Sequence, residues 1–141
     1  MVDSGLDTRH AEFTGGGNSH TREVRNLFDA YLPSPSSGTS SGTSFSSSSS
    51  AAAAAGTDSH HPLNNNDVLG HGTHCAGVVG GANIGVSPGV NIYGVKVIGP
   101  DGEGGDHHIL AGLDFIADRV KAARAAGSGG RSVVTMSLGT S

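Results

Sequence analysis

Apolar positions along this chain follow two different rhythms, and their order suggests the fold. Residues 91–98, NIYGVKVI, are β-branched and apolar enough for a buried strand. Residues 100–106, PDGEGGD, form a glycine-dense loop after it. Then Ile109, Leu113, Ile116 and Val120 recur at helical spacing, with Leu110 and Ala117 widening the stripe. Asp106 is placed to cap this helix, Lys121 and Arg124 favour its end, and Gly127 closes it. Residues 132–138, SVVTMSL, read as a second buried strand. Strand, helix and strand at this spacing make a βαβ unit, which requires parallel strands joined by a right-handed crossover. Upstream, His71–Val79 predicts another helix on the same sheet, although Gly72 and Gly77 lower its propensity. A short helix is also predicted over 23–32, EVRNLFDAYL, and Val2-Asp3 reads as a buried strand end entering a turn. The fold class is α/β with a doubly wound, mostly parallel sheet, in which ligands gather beyond the carboxyl ends of the strands.

Composition narrows the usable length. Residues 33–57 are almost all Ser, Ala, Gly, Thr and Pro, with Phe45 as the large apolar exception. Such a stretch cannot bury enough surface to offset its ordering entropy, so it is expected to be a flexible surface insertion. A partner-binding or glycosylated Ser/Thr tract is the alternative for it. The formal net charge of −4 gives no basic footprint for nucleic acid or an anionic membrane surface. Neither a run of about eighteen apolar residues nor a basic-then-apolar leader occurs in the 141 residues. The single cysteine, Cys75, excludes a disulfide within the chain.

Candidate chemistry is concentrated in LGHGTHCAGVVGG, residues 69–81. His71, His74 and Cys75 would present ligands at i, i+3 and i+4 of one helix, which makes a metal-binding module one reading. No HExxH or CxxC accompanies them, and His60, His61, His107 and His108 supply no second cluster at ligand spacing. The expectation is therefore no metal at these residues. In the other reading, an acid at a strand end, Asp3, is followed in the chain by a histidine opening a helix, His71. A general base needs one ring nitrogen free for the nucleophile and the other donating to a carboxylate that fixes its tautomer.

Four segments carry a family resemblance: VDSGLDTRHAEF (2–13), GHGTHCAG (70–77), VKVIGPDGEGG (95–105) and MSLG (136–139). Together and in this order they resemble the subtilisin-like serine proteases, peptidase family S8, with the cysteine typical of the proteinase K-like branch. The resemblance implies a serine endopeptidase with Asp3 as the triad acid and His71 as the general base. It implies that Gly102, Glu103 and Gly104 form one wall of a peptide groove and Ser137, Leu138 and Gly139 the other, the substrate adding between them as a strand. It makes His74 a structural residue facing away from the chemistry and Cys75 a buried, protonated thiol beneath His71. No cofactor is required for such chemistry; a structural calcium is possible, with no ligands identifiable here. The implied partner is a polypeptide substrate, with no nucleic acid and no membrane, and the complete protein is implied to be a monomer. The implied location is extracellular or vacuolar.

The resembled enzymes also carry a nucleophilic serine in a Gly-Thr-Ser-Met-Ala motif, preceded by an asparagine that stabilises the oxyanion. Ser141 completes Gly-Thr-Ser without the residues that would build the helix, and Ser40 and Ser44 lie in the low-complexity tract. Residues 1–141 are accordingly expected to be part of one catalytic domain, truncated, with 33–57 inserted. Loss of the serine alone costs about 10⁶ in kcat, so this chain by itself is expected to be inactive. A non-catalytic relic or peptide-binding fragment is the remaining reading, and the 132–138 strand is expected to present an unpaired apolar edge.

Overall fold

A computed structural model of the chain describes residues 1–14, 22–32, 66–128 and 130–139. Its elements are β1 (Val2–Asp3), α1 (Ala11–Thr14), β2 (Val24–Asp29), α2 (His71–Gly80), β3 (Ile92–Lys96) and α3 (Asp106–Ala125). The insertion expected at 33–57 lies outside the described residues.

Strand β3 is the centre of the sheet, with β1 and β2 pairing parallel to it on either side. Asp3 stands opposite Lys96 on one edge, and Asp29 opposite Lys96 on the other. Alternation along β3 then separates two cores. Ile92 points to one face, where it packs with Leu6, Phe13 and Ala76 of α2. Val95 points to the other and, with Val97 beyond the strand, joins Val2 beneath Ile109, Phe115 and Ile116 of α3. With a helix covering each face, the sheet is doubly wound and parallel, as the apolar pattern implies.

Helix α3 lies close to the sheet because it carries Gly112 at the contact. A methyl there would stand 2.6 Å from Val97 Cγ1. At its carboxyl end the Ser128 amide donates to Ala123 O and the Gly127 amide to Arg124 O, with Gly127 at φ 69. This is a Schellman closure, which satisfies two terminal carbonyls and requires the left-handed residue that Gly supplies. At its start the expectation needs correcting: Gly105 occupies the cap position and Asp106 is the first helical residue, its charge favouring the positive end of the helix.

Two predicted elements differ. Residues 24–29 form a strand, not a helix. Val24 and Phe28, four apart, imitate a helical stripe. A register shift between Asn26 and Phe28 in fact puts them on opposite faces, Val24 with the α2 core and Phe28 with the α3 core. Residues 132–138 do not form a buried strand. One parallel bridge joins Met136 to Val2, with the Val2 amide donating to Thr135 O at 2.9 Å. Because β1 is two residues long, the ladder has nothing more to pair with. Val133 is left 89% exposed and Met136 42%.

Candidate active site

The site forms at the carboxyl edge of the sheet, where β1 ends at Asp3 and the chain turns through Ser4, Gly5 and Leu6. Gly5 takes φ 107, which an L side chain rarely adopts. The first turn of α2 rests directly on this turn. A methyl on Gly72 would lie 2.2 Å from Gly5 O and 3.2 Å from Asp3 Cβ, so the approach requires glycine. That approach sets His71 Nδ1 2.7 Å from Asp3 Oδ1.

The two side chains occupy opposite environments. Asp3 is 1% exposed, whereas the His71 side chain is 47% exposed. With a carboxylate against it, Nδ1 is the donor, which leaves the Nε2 lone pair turned away from Asp3 and able to accept a proton. Asp3 Oδ1 also accepts the Ser4 amide at 2.7 Å, while buried Oδ2 has no hydrogen-bond partner among the described residues.

Cys75 departs from the expectation of a buried thiol. It is half-buried, with Sγ 3.8 Å from His71 Nε2, because a residue four positions on shares His71's face of the helix. His74 is exposed and lines a shallow cavity with Asp7, His10 and Glu12, apart from the Asp3–His71 pair. The donor grouping expected for a metal, His71, His74 and Cys75, is therefore not what assembles. Donor atoms of Asp3, His71 and Cys75 lie within 4.8 Å of one another instead. A thiol and an imidazole suit a soft ion, so this grouping does not fit the calcium that the resemblance allows.

Sequence reading missed the residues that hold the dyad. Asp67 Oδ1 accepts the Ser4 hydroxyl at 2.7 Å and the Gly70 amide at 2.8 Å, and its Oδ2 accepts the Thr73 amide at 2.8 Å. The Thr73 hydroxyl donates to the same Oδ2. Burial opposes ionisation of Asp67, but the bonds from Thr73, Ser4 and the Gly70 amide outweigh it and keep the carboxyl below its ordinary range. Lys96, buried on β3, donates to Ser4 O; burial lowers its pKa against the opposing pull of Asp29, Asp67 and Asp3. Asn66 accepts the Leu6 amide at 3.2 Å and donates to Asp29. An aspartate just ahead of a helix is a legible capping signal, but Val68 and Leu69 between Asp67 and the glycine obscure it.

The groove candidates lie at this same edge. Gly102, at φ 84, Glu103 and Gly104 belong to the loop after β3. The Gly99 amide and the Tyr31 hydroxyl both donate to Glu103 O, and the Glu103 amide donates to Asp101 Oδ1. Both main-chain groups of Glu103 are thus occupied within the fold. Ser137 and Gly139 are exposed just past the Met136 bridge, and Leu138 between them packs on the Val2–Val97 cluster.

With the buried Asp3 carboxylate set against the half-exposed His71 ring at the carboxyl edge of a parallel sheet, comparison with known proteins is specific. The whole of residues 1–141 matches the subtilase family, Peptidase S8, and the chain belongs to it. It is 30% identical over 138 residues to a subtilisin-like protease of Coccidioides posadasii, covering 98% of this chain and 25% of that protein. It is 46% identical over 74 residues to the alkaline serine protease ver112 of Corniculantispora psalliotae, covering 52% of this chain and 18% of that one. A crystal structure of a cold-adapted subtilisin-like serine proteinase superposes with a TM-score of 0.53 at 26% identity, covering 82% of this chain and 30% of that chain. The chain therefore spans a quarter or less of the curated relatives it matches here.

Proposed function

We propose that residues 1–141 carry the acid–base half of a serine endopeptidase site. The observation that supports this is the 2.7 Å contact between a buried carboxylate, Asp3, and a half-exposed imidazole, His71. In this reading His71 Nε2 takes the proton of a serine hydroxyl as its oxygen attacks a peptide carbonyl, then returns that proton to the leaving amine. Asp3 holds the ring in one tautomer and stabilises the imidazolium; the reaction passes through an acyl-enzyme and needs no cofactor. A polypeptide substrate lies between Gly102–Gly104 and Ser137–Gly139 as an added strand. The proteinase K-like branch and an extracellular or vacuolar location accompany this reading. No helix among the described residues is long and apolar enough to cross a membrane.

The Gly-Thr-Ser-Met-Ala motif does not occur within residues 1–141, so these residues alone are proposed to leave a chromogenic peptide amide unhydrolysed. The dyad is tested in a chimera in which residues 1–141 replace the matching stretch of the Coccidioides posadasii protease. The chimera should hydrolyse the amide, and His71→Ala should lower kcat by about 10⁴ to 10⁶. Equal rates for the chimera and its His71→Ala variant would sink the reading.

A second reading follows from the cluster of Asp3, His71 and Cys75 donor atoms within 4.8 Å, which could hold a soft divalent ion. Equimolar zinc with native mass spectrometry separates it: retention of one ion by the chain, lost in Cys75→Ser, supports the metal.

A further inference from the structure

We propose that Ser4 and Asp67 are positioning residues for the dyad, acting through the main chain on either side of His71. This rests on the reading of Asp3 and His71 as acid and base.

Two separate segments must meet for Asp3 to reach His71, and neither side chain alone decides how they meet. The amides flanking His71 show what does. On its carboxyl side, the Gly72 amide donates to Ser4 Oγ at 2.9 Å. On its amino side, the Gly70 amide donates to Asp67 Oδ1 at 2.8 Å. Ser4 Oγ and Asp67 Oδ1 are themselves joined at 2.7 Å. His71 is thus held between two amides anchored to one hydroxyl–carboxylate unit. Gly70 stands at φ 84 just ahead of α2, and Gly72 can approach the Asp3 turn only as glycine, so these two amide bonds govern how the first turn of α2, and the ring it carries, meets Asp3.

Ser4 also closes a circuit through the acid. Its own amide donates to Asp3 Oδ1 at 2.7 Å, the oxygen that receives His71 Nδ1. From that oxygen the circuit runs through the Ser4 amide, the Ser4 hydroxyl, the Gly72 amide and the His71 ring back to the start. A hydroxyl suits this place because it accepts from Gly72 and donates to Asp67 at once. The Asp67 carboxylate must be ionised to accept from Gly70, Ser4, the Thr73 amide and the Thr73 hydroxyl together. Ser4 is fully buried, so water does not replace its hydroxyl.

The test is the His71 Nδ1 proton, observed by NMR in the uniformly ¹⁵N-labelled chain and identified by its loss in His71→Gln. In the wild type it should resonate far downfield and exchange slowly with water. Ser4→Ala should raise its exchange rate about tenfold or more, Ser4→Thr should restore it because the hydroxyl is kept, and Asp67→Asn should raise it as well. Unchanged amide dispersion of β3 reports that each variant is folded, and Asp67→Asn carries the test if Ser4→Ala is not. Wild-type exchange in a folded Ser4→Ala or Asp67→Asn chain overturns the positioning role and leaves the dyad standing. Absence of the proton in a folded wild type overturns the dyad reading, and this inference with it.

Discussion

Asp3 and His71 stand 2.7 Å apart across a boundary between protein interior and solvent, and each is useful because of the side it occupies. Burial spares the carboxylate competition from water for the Nδ1 proton, while exposure leaves Nε2 accessible to a reacting hydroxyl. In the chimera described above, Asp3→Asn should keep the geometry but impose the wrong tautomer on the ring. We expect kcat to fall by about 10⁴ with a much smaller change in KM. A loss confined to KM would show that Asp3 serves substrate binding instead.

Two glycines of α2 should respond to the same substitution with opposite sign. A methyl at position 72 meets Gly5 O at 2.2 Å, whereas at position 77 its nearest neighbour is Ile84 Cδ1 at 3.9 Å. Gly72→Ala should destabilise the chain by about 2–3 kcal/mol through overpacking. Gly77→Ala should stabilise it by about 0.5–1 kcal/mol through helix propensity. Urea midpoints with a common slope decide both.

Stability should fall in steps as the solution is acidified. The His108 ring stands 4.3 Å from that of Tyr31 and 3.9 Å from that of His107, and its Nδ1 is buried. Desolvation first, and the charge of His107 second, hold its pKa below the ordinary 6.5. Unfolded His108 therefore binds a proton where native His108 does not. Stability drops as pH falls below 6.5 and levels off below the folded value. Asp67, held below its ordinary 3.8, adds a contribution that is whole above 3.8 and lost as pH falls through the folded value. Urea midpoints from pH 8 to 3 should show both steps, and His108→Gln should remove the first. An identical profile in that variant would refute the assignment.

Gly127 should resist replacement. At φ 69, Gly127→Ala places a Cβ in the left-handed region and should cost about 1 kcal/mol, read as a lower thermal midpoint. No change would mean that the Schellman closure of α3 contributes little.

Much of this arrangement was legible in the residues themselves. The apolar run at 91–98 marks β3, and Ile109, Ile116 and their neighbours mark the buried face of α3, because alternation and helical stripes are local properties. The dyad was legible because Asp3 follows an apolar strand end and His71 opens a helix. What failed depends on distant partners. Val24 and Phe28 look helical until β3 shifts their register, and 132–138 lacks a long enough neighbour to become a strand. Asp67 escaped notice because its importance comes from Ser4, sixty-three positions away in sequence. Cys75 was misjudged as buried because its i+4 relation to His71 sets its direction but not how much covers it.

Strand β3 also does two jobs on alternate residues. Positions 92, 94 and 96 face the Asp3 turn and α2, with Gly94 leaving room for Leu6 and Lys96 reaching Ser4 O. Position 95, and Val97 just beyond, hold α3. Deleting a single residue inside 92–96 would exchange those assignments, bringing valines against the Asp3 turn and a lysine under the helix. One deletion in the loop at 100–105 would leave the alternation intact. The chain should therefore tolerate length variation beside its candidate site far better than within the strand beneath it.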